Sequence, residues 1–259
     1  NIRLQLGRRV PPFQPAVIRK GHVFRNCLHV KVDGHVVTGS YIGQKQKQVF
    51  VCFELRMRIG IRPEKINIGF LVGPVLLGFI AEMQYKGKGN EVYVARQPRS
   101  PISEAFRSLR TNLEYAAVQK PIRTLIVTSP EPSEGKTTVA VNLAAIFSQA
   151  KRSVALIDAD LRHPNVHRYM GLPNRDGLSN LFRDQSDVSK VSRNKVELPK
   201  LTIITTGGLP PNPAELLGSD RMGWVLEELQ SIADMVIIDT PPSLVADAQV
   251  LAAKVDAVL

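Results

Sequence analysis

From Ser100 onward the apolar positions fall into two periods. Ile102, Phe106, Leu109, Leu113 and Ala116 recur at three- and four-residue spacing, which predicts an amphipathic helix, and Ser100 followed by Pro101 suits its cap and first position. Beyond that helix, short apolar runs at 124–129, 153–157, 201–205, 235–238 and 255–259 take turns with helical stretches at 136–149, 213–231 and 243–252. Apolar runs without polar alternation predict strands buried on both faces. Their alternation with helices predicts an α/β fold with a mostly parallel sheet covered on both faces. The last run, Val255-Asp256-Ala257-Val258-Leu259, reads as the first half of a buried strand, and the chain is therefore expected to be a fragment.

Ahead of this region the pattern is weaker. Residues 1–65 open with Pro11, Pro12 and Pro15, carry an Asp33-Gly34 turn signal after Leu28, and include an apolar run from Val49 to Phe53, so a small hairpin is possible there. Their role is not legible. Residues 66–81 form an uncharged run of sixteen between Lys65 and Glu82, interrupted by Gly69, Gly73, Pro74 and Gly78. A spanning helix needs about 20 apolar residues. The run is short for that, and the end of a membrane span and a buried strand with its turn both fit. Residues 83–100, with Lys86-Gly87-Lys88-Gly89-Asn90, read as a linker. The division expected is 1–65 as a poorly defined basic segment, 66–97 as an apolar segment, a candidate membrane-proximal one, with a linker, and 98–259 as the α/β domain.

Charge changes the picture in one respect. The net formal charge of +11 over 259 residues would suggest a polyanionic partner if it were spread over the fold. It is not: residues 1–65 hold 13 Lys and Arg against 3 acidic residues, which leaves a net of +1 for the rest. No nucleic-acid partner is expected for the folded part. The basic segment suits either a membrane-surface anchor or a solvated leader. Only Cys27 and Cys52 are present, too few for a structural zinc site or a disulfide framework.

The most informative stretch runs from Thr124 to Thr138, TLIVTSPEPSEGKTT, where a β-branched strand enters a loop and then the helix of Val139, Leu143 and Phe147. Strand, loop, Gly-Lys-Thr and helix is the setting in which free backbone N–H groups and a helix dipole attract phosphate. Ser133, Glu134, Gly135, Lys136, Thr137 and Thr138 form the candidate nucleotide-binding set. Lys136 can reach terminal phosphates as a mobile point charge, and the Thr137 hydroxyl can ligate Mg2+. The usual leading glycine is replaced by Pro130, and Ser133 stands where a glycine would relax the turn.

Two strands end in aspartate. Val154 to Ile157 leads into Asp158-Ala159-Asp160-Leu161-Arg162, and Met235 to Ile238 into Asp239-Thr240-Pro241-Pro242. Carboxylates at the C-terminal edge of a parallel sheet sit where ligands bind in such folds, positioned for metal ligation or proton transfer. Taken alone, each could instead cap the helix that follows it.

These motifs together resemble the P-loop domain of bacterial tyrosine kinases, the cytoplasmic domain of polysaccharide co-polymerase and capsular exopolysaccharide biosynthesis proteins. Leu156 to Arg162 resembles the family's Walker A′ motif, placed between Walker A and Walker B, and Ser129 to Lys136 its phosphate loop, which also lacks the leading glycine. Arg162-His-Pro-Asn-Val-His167, Gly177-Leu-Ser179 and Gly208 to Leu217 are similar to further family segments. The resemblance covers residues 98–259, and weakly 66–82.

It implies a P-loop NTPase fold of ParA/MinD type and an ATP- and Mg2+-dependent protein-tyrosine kinase, an autokinase regulating exopolysaccharide or capsule export at the cytoplasmic face of the plasma membrane. The implied roles are Lys136 with Mg2+ on the phosphates, Thr137, Asp160 and Asp239 as metal ligands, and Asp158 as acceptor of the tyrosine proton. Arg162 joins the nucleotide-binding set, with Asn212 and Pro213 as neighbours of adenine. Glu104, Arg107 and Arg110 match the family's self-association motif and fall within about 120° of arc opposite the apolar stripe. Implied partners are a second copy, the membrane or a membrane-embedded co-polymerase, and protein tyrosines. The rival readings are a ParA/MinD-type ATPase switch, whose extra loop lysine is replaced here by Glu131, and a non-catalytic regulator of polysaccharide chain length.

Overall fold

The computed structural model describes residues 27–32, 35–40, 48–55, 75–81, 83, 91–118, 120–183 and 187–259. Ten strands and nine helices are described in it, in the order β1 (Cys27–Val32), β2 (His35–Ser40), β3 (Gln48–Leu55), β4 (Val75–Ala81), α1 (Tyr93–Arg96), α2 (Pro101–Ala116), β5 (Thr124–Val127), α3 (Lys136–Gln149), β6 (Val154–Asp158), α4 (Val166–Met170), α5 (Leu178–Arg183), α6 (Val188–Val191), β7 (Arg193–Lys195), β8 (Leu198–Ile204), α7 (Pro213–Gly218), α8 (Asp220–Ile232), β9 (Met235–Asp239), α9 (Ala246–Ala252) and β10 (Ala257–Val258). The expected mostly parallel sheet is present: β10, β5, β9, β6 and β8 run parallel as neighbours. Antiparallel β7 flanks β8, and antiparallel β3 and then β4 extend the other side.

Alternation within the strands explains why the sheet is covered twice. Leu125 and Val127 of β5, Leu156 of β6 and Ile237 of β9 join a core under α2 and α3, whereas Ile126, Ile157 and Ile238 join a second core under α5 and α8. Successive side chains of a strand point to opposite faces, so an uninterrupted apolar run needs a helix on each. The stripe of α2 behaves as its spacing predicts: Phe106, Leu109 and Leu113 are buried, each contributing about 1.5–3 kcal/mol of burial. Ser100 caps this helix by accepting a hydrogen bond from Ser103 N at 3.1 Å.

One sequence expectation changes, and one left open between two readings is decided for the described part of its run. The stretch 213–231 is two helices: Ser219, in extended conformation, ends α7 and caps α8 through Met222 N, because Ser followed by Asp offers the backbone a cap in place of another helical turn. In the uncharged run 66–81, residues 66–74 lie outside the described residues, but Val75–Ala81 is strand β4. Leu77 and Ile80 are buried in the core, and Leu77 O accepts a hydrogen bond from Asn112 Nδ2 of α2 at 2.7 Å. No helix among the described residues is long and apolar enough to cross a membrane. Of the N-terminal segment 1–65, a hairpin of β1 and β2 is described, as the Asp33-Gly34 signal predicts; the prolines at 11, 12 and 15 lie outside the described residues.

Candidate active site

The phosphate loop forms where β5 hands the chain to α3. Two residues in it adopt left-handed backbone: Ser133 at φ 65° and Gly135 at φ 93°. Gly135 does so without steric cost and, as the cap of α3, offers no side chain to the helix end, so the amide N–H groups of the first turn have no side-chain cap there. Ser133 takes the same region with a Cβ, as its place in the motif predicts. The loop closes on itself: Ser129 Oγ donates to Glu131 O at 2.7 Å, and Glu131 N donates to Glu134 Oε2 at 2.8 Å. That second bond draws the Glu134 carboxylate to the loop's own backbone.

Strand order brings the acidic residues to this loop. Although β9 is last in sequence of the three central strands, it lies between β5 and β6, and Asp239 is the direct register partner of both Val127 and Asp158. Two fully buried carboxylates therefore stand on adjacent strands, about 4.8 Å apart in strand spacing. Asp239 Oδ2 accepts the Thr137 hydroxyl at 2.6 Å, which joins the start of α3 to β9. Asp158 Oδ2 accepts from Asn165 N at 3.1 Å and Val166 N at 3.0 Å. The capping alternative is thus realised for one oxygen of Asp158. Its other oxygen, Oδ1, and Asp239 Oδ1 are buried without a hydrogen-bond partner.

Such burial sets the electrostatics. Loss of hydration pushes the Asp158 carboxyl up to about 7, opposed by the Val166 N–H and reinforced by the charge of Asp160. Asp239 is raised well above the ordinary carboxylate range, first by burial and then by Asp158, while the Thr137 hydroxyl and the Lys136 charge pull the other way. Two buried carboxyl groups this close resist ionising together. A cation or a proton at the two free oxygens would relieve that opposition.

Asp160 is also buried, and its Oδ1 accepts from Arg162 N at 3.2 Å and His163 N at 2.9 Å. One of its oxygens is thereby committed to closing its own turn. Arg162, assigned from sequence to the nucleotide, is here forked onto Asp247 of α9, with Nε to Oδ2 at 2.8 Å and Nη2 to Oδ1 at 3.0 Å. Asp247 is fully buried and was invisible to sequence reasoning. It lies 85 residues away, and a lone Asp in the first turn of a helix reads as an ordinary cap. Asn212 Nδ2 donates to Glu215 Oε2 at 2.5 Å, and Pro213 is buried at the first position of α7, on the same C-terminal side of the sheet. Gly177 is required by close approach, since a Cβ there would collide with the Thr205 carbonyl oxygen.

The candidate interface residues separate. Glu104 is exposed, but Arg107 is paired to Glu104 on its own helix and donates to Pro98 O, and Arg110 lies half-buried 3.8 Å from Glu114. The arc expected from helical spacing is present; its two arginines are tethered within the chain.

The metal and nucleotide implied by the sequence can be tested against these atoms. Among the described residues no three His, Cys, Asp or Glu side chains are grouped to hold a metal by themselves. Thr137 and Asp239 form an open half-site, which fits Mg2+, an ion that commonly takes one or two protein oxygens and fills the rest of its shell with phosphate and water. The unpartnered Asp239 Oδ1 beside a bare helix N-terminus fits such an ion with a phosphate ligand.

Comparison with known proteins agrees with this geometry. The model of the CobQ/CobB/MinD/ParA nucleotide binding domain matches residues 125–256. The chain is 44% identical over 161 residues to the tyrosine-protein kinase YwqD of Bacillus subtilis, covering 62% of this chain and 68% of that protein. It is 38% identical over 163 residues to the putative tyrosine-protein kinase CapB of Staphylococcus aureus, covering 62% and 71%. With the tyrosine-protein kinase wzc of Salmonella typhimurium the identity is 38% over 165 residues, covering 63% of this chain and 23% of that longer protein. Among solved structures, the kinase domain of the Escherichia coli tyrosine kinase ETK superposes with a TM-score of 0.62 at 36% identity, covering 67% of this chain and 68% of that one. With this phosphate loop, these paired aspartates and these relatives, the chain belongs to the bacterial tyrosine-kinase family, built on the CobQ/CobB/MinD/ParA nucleotide-binding domain.

Proposed function

We propose that this chain is an ATP-dependent protein-tyrosine kinase regulating exopolysaccharide or capsule biosynthesis at the cytoplasmic face of the bacterial plasma membrane. The observation that carries the reading is the pair Asp158 and Asp239: register partners, fully buried, each with one oxygen free, next to a phosphate loop. A nucleotide hydrolase needs a carboxylate for the metal. A kinase also needs one to receive a hydroxyl proton, and two carboxylates in unlike settings supply both.

In the reaction, the N-terminal turn of α3 and Lys136 hold the phosphates of ATP. Asp158, with a proton affinity raised towards neutrality, receives the proton of an incoming tyrosine through its free Oδ1. The tyrosine oxygen bonds to the γ-phosphorus as the bond from that phosphorus to the β-phosphate oxygen breaks, and ADP leaves. Thr137 and Asp239 would hold Mg2+, with Asp160 contributing through its uncommitted oxygen; the ion would supply charge neutralisation on the phosphates. Asn212 and Pro213 would border the base. Arg162 would reach the nucleotide only by leaving Asp247. Glu104, Arg107 and Arg110 would mediate self-association, with Glu104 the side chain most open to a neighbour. A membrane-embedded co-polymerase is the expected membrane partner.

The test is incubation of the chain with γ-labelled ATP and a tyrosine-bearing peptide. Phosphotyrosine that disappears in Asp158→Ala is expected. Release of phosphate with no phosphotyrosine would replace the kinase by an ATPase switch, and no turnover at all would leave a non-catalytic regulator.

A further inference from the structure

We propose that Tyr169 is a positioning residue of the phosphate loop: its phenol orients the Thr138 hydroxyl towards a bound phosphate. The Tyr169 hydroxyl and Thr138 Oγ1 lie 2.7 Å apart, in a partly buried contact between α4 and the first turn of α3. The ring of Tyr169 packs against the core beneath α3, which fixes where its hydroxyl can sit. The remaining ties of the two residues are also set. Thr138 O accepts from Asn142 Nδ2 at 2.8 Å, and Asn142 Oδ1 accepts from Val94 N at 3.0 Å, so the backbone of Thr138 is held independently of its side chain.

Either hydroxyl can donate across this contact. The phenol is the more acidic of the two and so the better donor, and with the Tyr169 O–H donating to Thr138 Oγ1 the Thr138 hydrogen is left free to point elsewhere. Thr138 stands at the helix end where Gly135 provides no cap, and the acceptor that would meet its hydrogen there is a phosphate oxygen. Donors chained in this way polarise one another, so the second bond strengthens the first. Helix α4 thus reaches the site at both ends: its N-terminal amides sit on Asp158 Oδ2, and Tyr169 sits on Thr138. It joins the proton-accepting carboxylate to the phosphate-binding turn. Nothing in the spacing of Tyr169 marks it for this, because it is one of five tyrosines scattered along the sequence.

This inference rests on the nucleotide reading above, and the experiment separates the two. Affinity for ADP with Mg2+ is measured by calorimetry on the full chain, as wild type, Tyr169→Phe, Thr138→Val and the double variant. Thermal midpoints without nucleotide serve as the structural control. Tyr169→Phe keeps the ring and is expected to weaken ADP by about tenfold, the scale of one hydrogen bond, with its midpoint nearly unchanged. In the Thr138→Val background it is expected to add less than about twofold, since the residue it acts through is gone. Thr138→Ser retains the hydroxyl and restores the sensitivity. A Tyr169→Phe effect that persists in full beside Thr138→Val overturns the inference, as does an ADP affinity of Tyr169→Phe equal to that of a wild type that binds ADP. A wild type that does not bind ADP overturns the nucleotide reading itself and the inference with it.

Discussion

Replacing Asp158 by Asn is expected to stabilise the nucleotide-free chain while abolishing phosphotyrosine formation. The magnitude follows from the carboxyl's surroundings. Burial raises its ionisation from 3.8 to about 7, and each unit corresponds to about 1.36 kcal/mol, so at pH 7.5 the folded chain carries up to about 4 kcal/mol of disfavoured charge. The asparagine oxygen can still accept from Asn165 N and Val166 N, and its amide can donate towards the unpartnered Asp239 Oδ1. Imperfect geometry in the new pair leaves a net gain of about 2 kcal/mol, or a rise of about 4–8 °C in Tm for a domain of this size.

The sign with pH is equally specific. A carboxyl raised in the folded state binds its proton more tightly there than in the unfolded chain, so its penalty grows as pH climbs from about 4 to about 7. The advantage of the variant should therefore shrink by about 2–3 kcal/mol between pH 7.5 and pH 5. Thermal unfolding followed by circular dichroism at the two pH values checks this. A variant no more stable than wild type at pH 7.5, or one whose advantage does not shrink in acid, would refute the account of a strained, buried carboxylate.

Two further substitutions probe features that the fold assembled. Arg162→Ala leaves the buried Asp247 carboxylate without its fork; with the arginine partly solvated, a loss of about 2–4 kcal/mol is expected, and most of it should return in Arg162→Ala/Asp247→Ala when urea unfolding is compared. Ser133→Gly removes a Cβ from a left-handed position, worth about 1–2 kcal/mol, but loosens the unfolded chain by about 0.5–1 kcal/mol. A net gain of about 0.5–1 kcal/mol in the urea midpoint is expected, and a loss would mean that the serine is not strained.

Much of the site could be read before any fold was known, because its parts are local. The phosphate loop needs a strand, a tight turn and a helix in succession, and 124–149 supplies them in order, down to the serine that sits where glycine would be easier. The uninterrupted apolar runs ending at Asp158 and Asp239 required strands covered on both faces, and the ends of such strands are where carboxylates meet ligands. Where local signals competed, the reading failed or stayed open: a capping Ser219 divided one expected helix, and of the two readings of the uncharged run 66–81 the strand is the one present over Val75–Ala81, decided by a pairing partner some 25 residues earlier in the chain.

Sequence by itself determined the kind of elements, the positions of the loop and the two acidic strands, and the stripe of α2, since each depends on neighbours within a few residues. Tertiary structure alone decided the order of the strands, and with it that Asp239 stands between the phosphate loop and Asp158 rather than beyond them. It also decided that Arg162 meets Asp247 across 85 residues and that Tyr169 meets Thr138 across 31. Such contacts are fixed by which faces of the sheet the helices must cover, a constraint on the whole chain that no local spacing records.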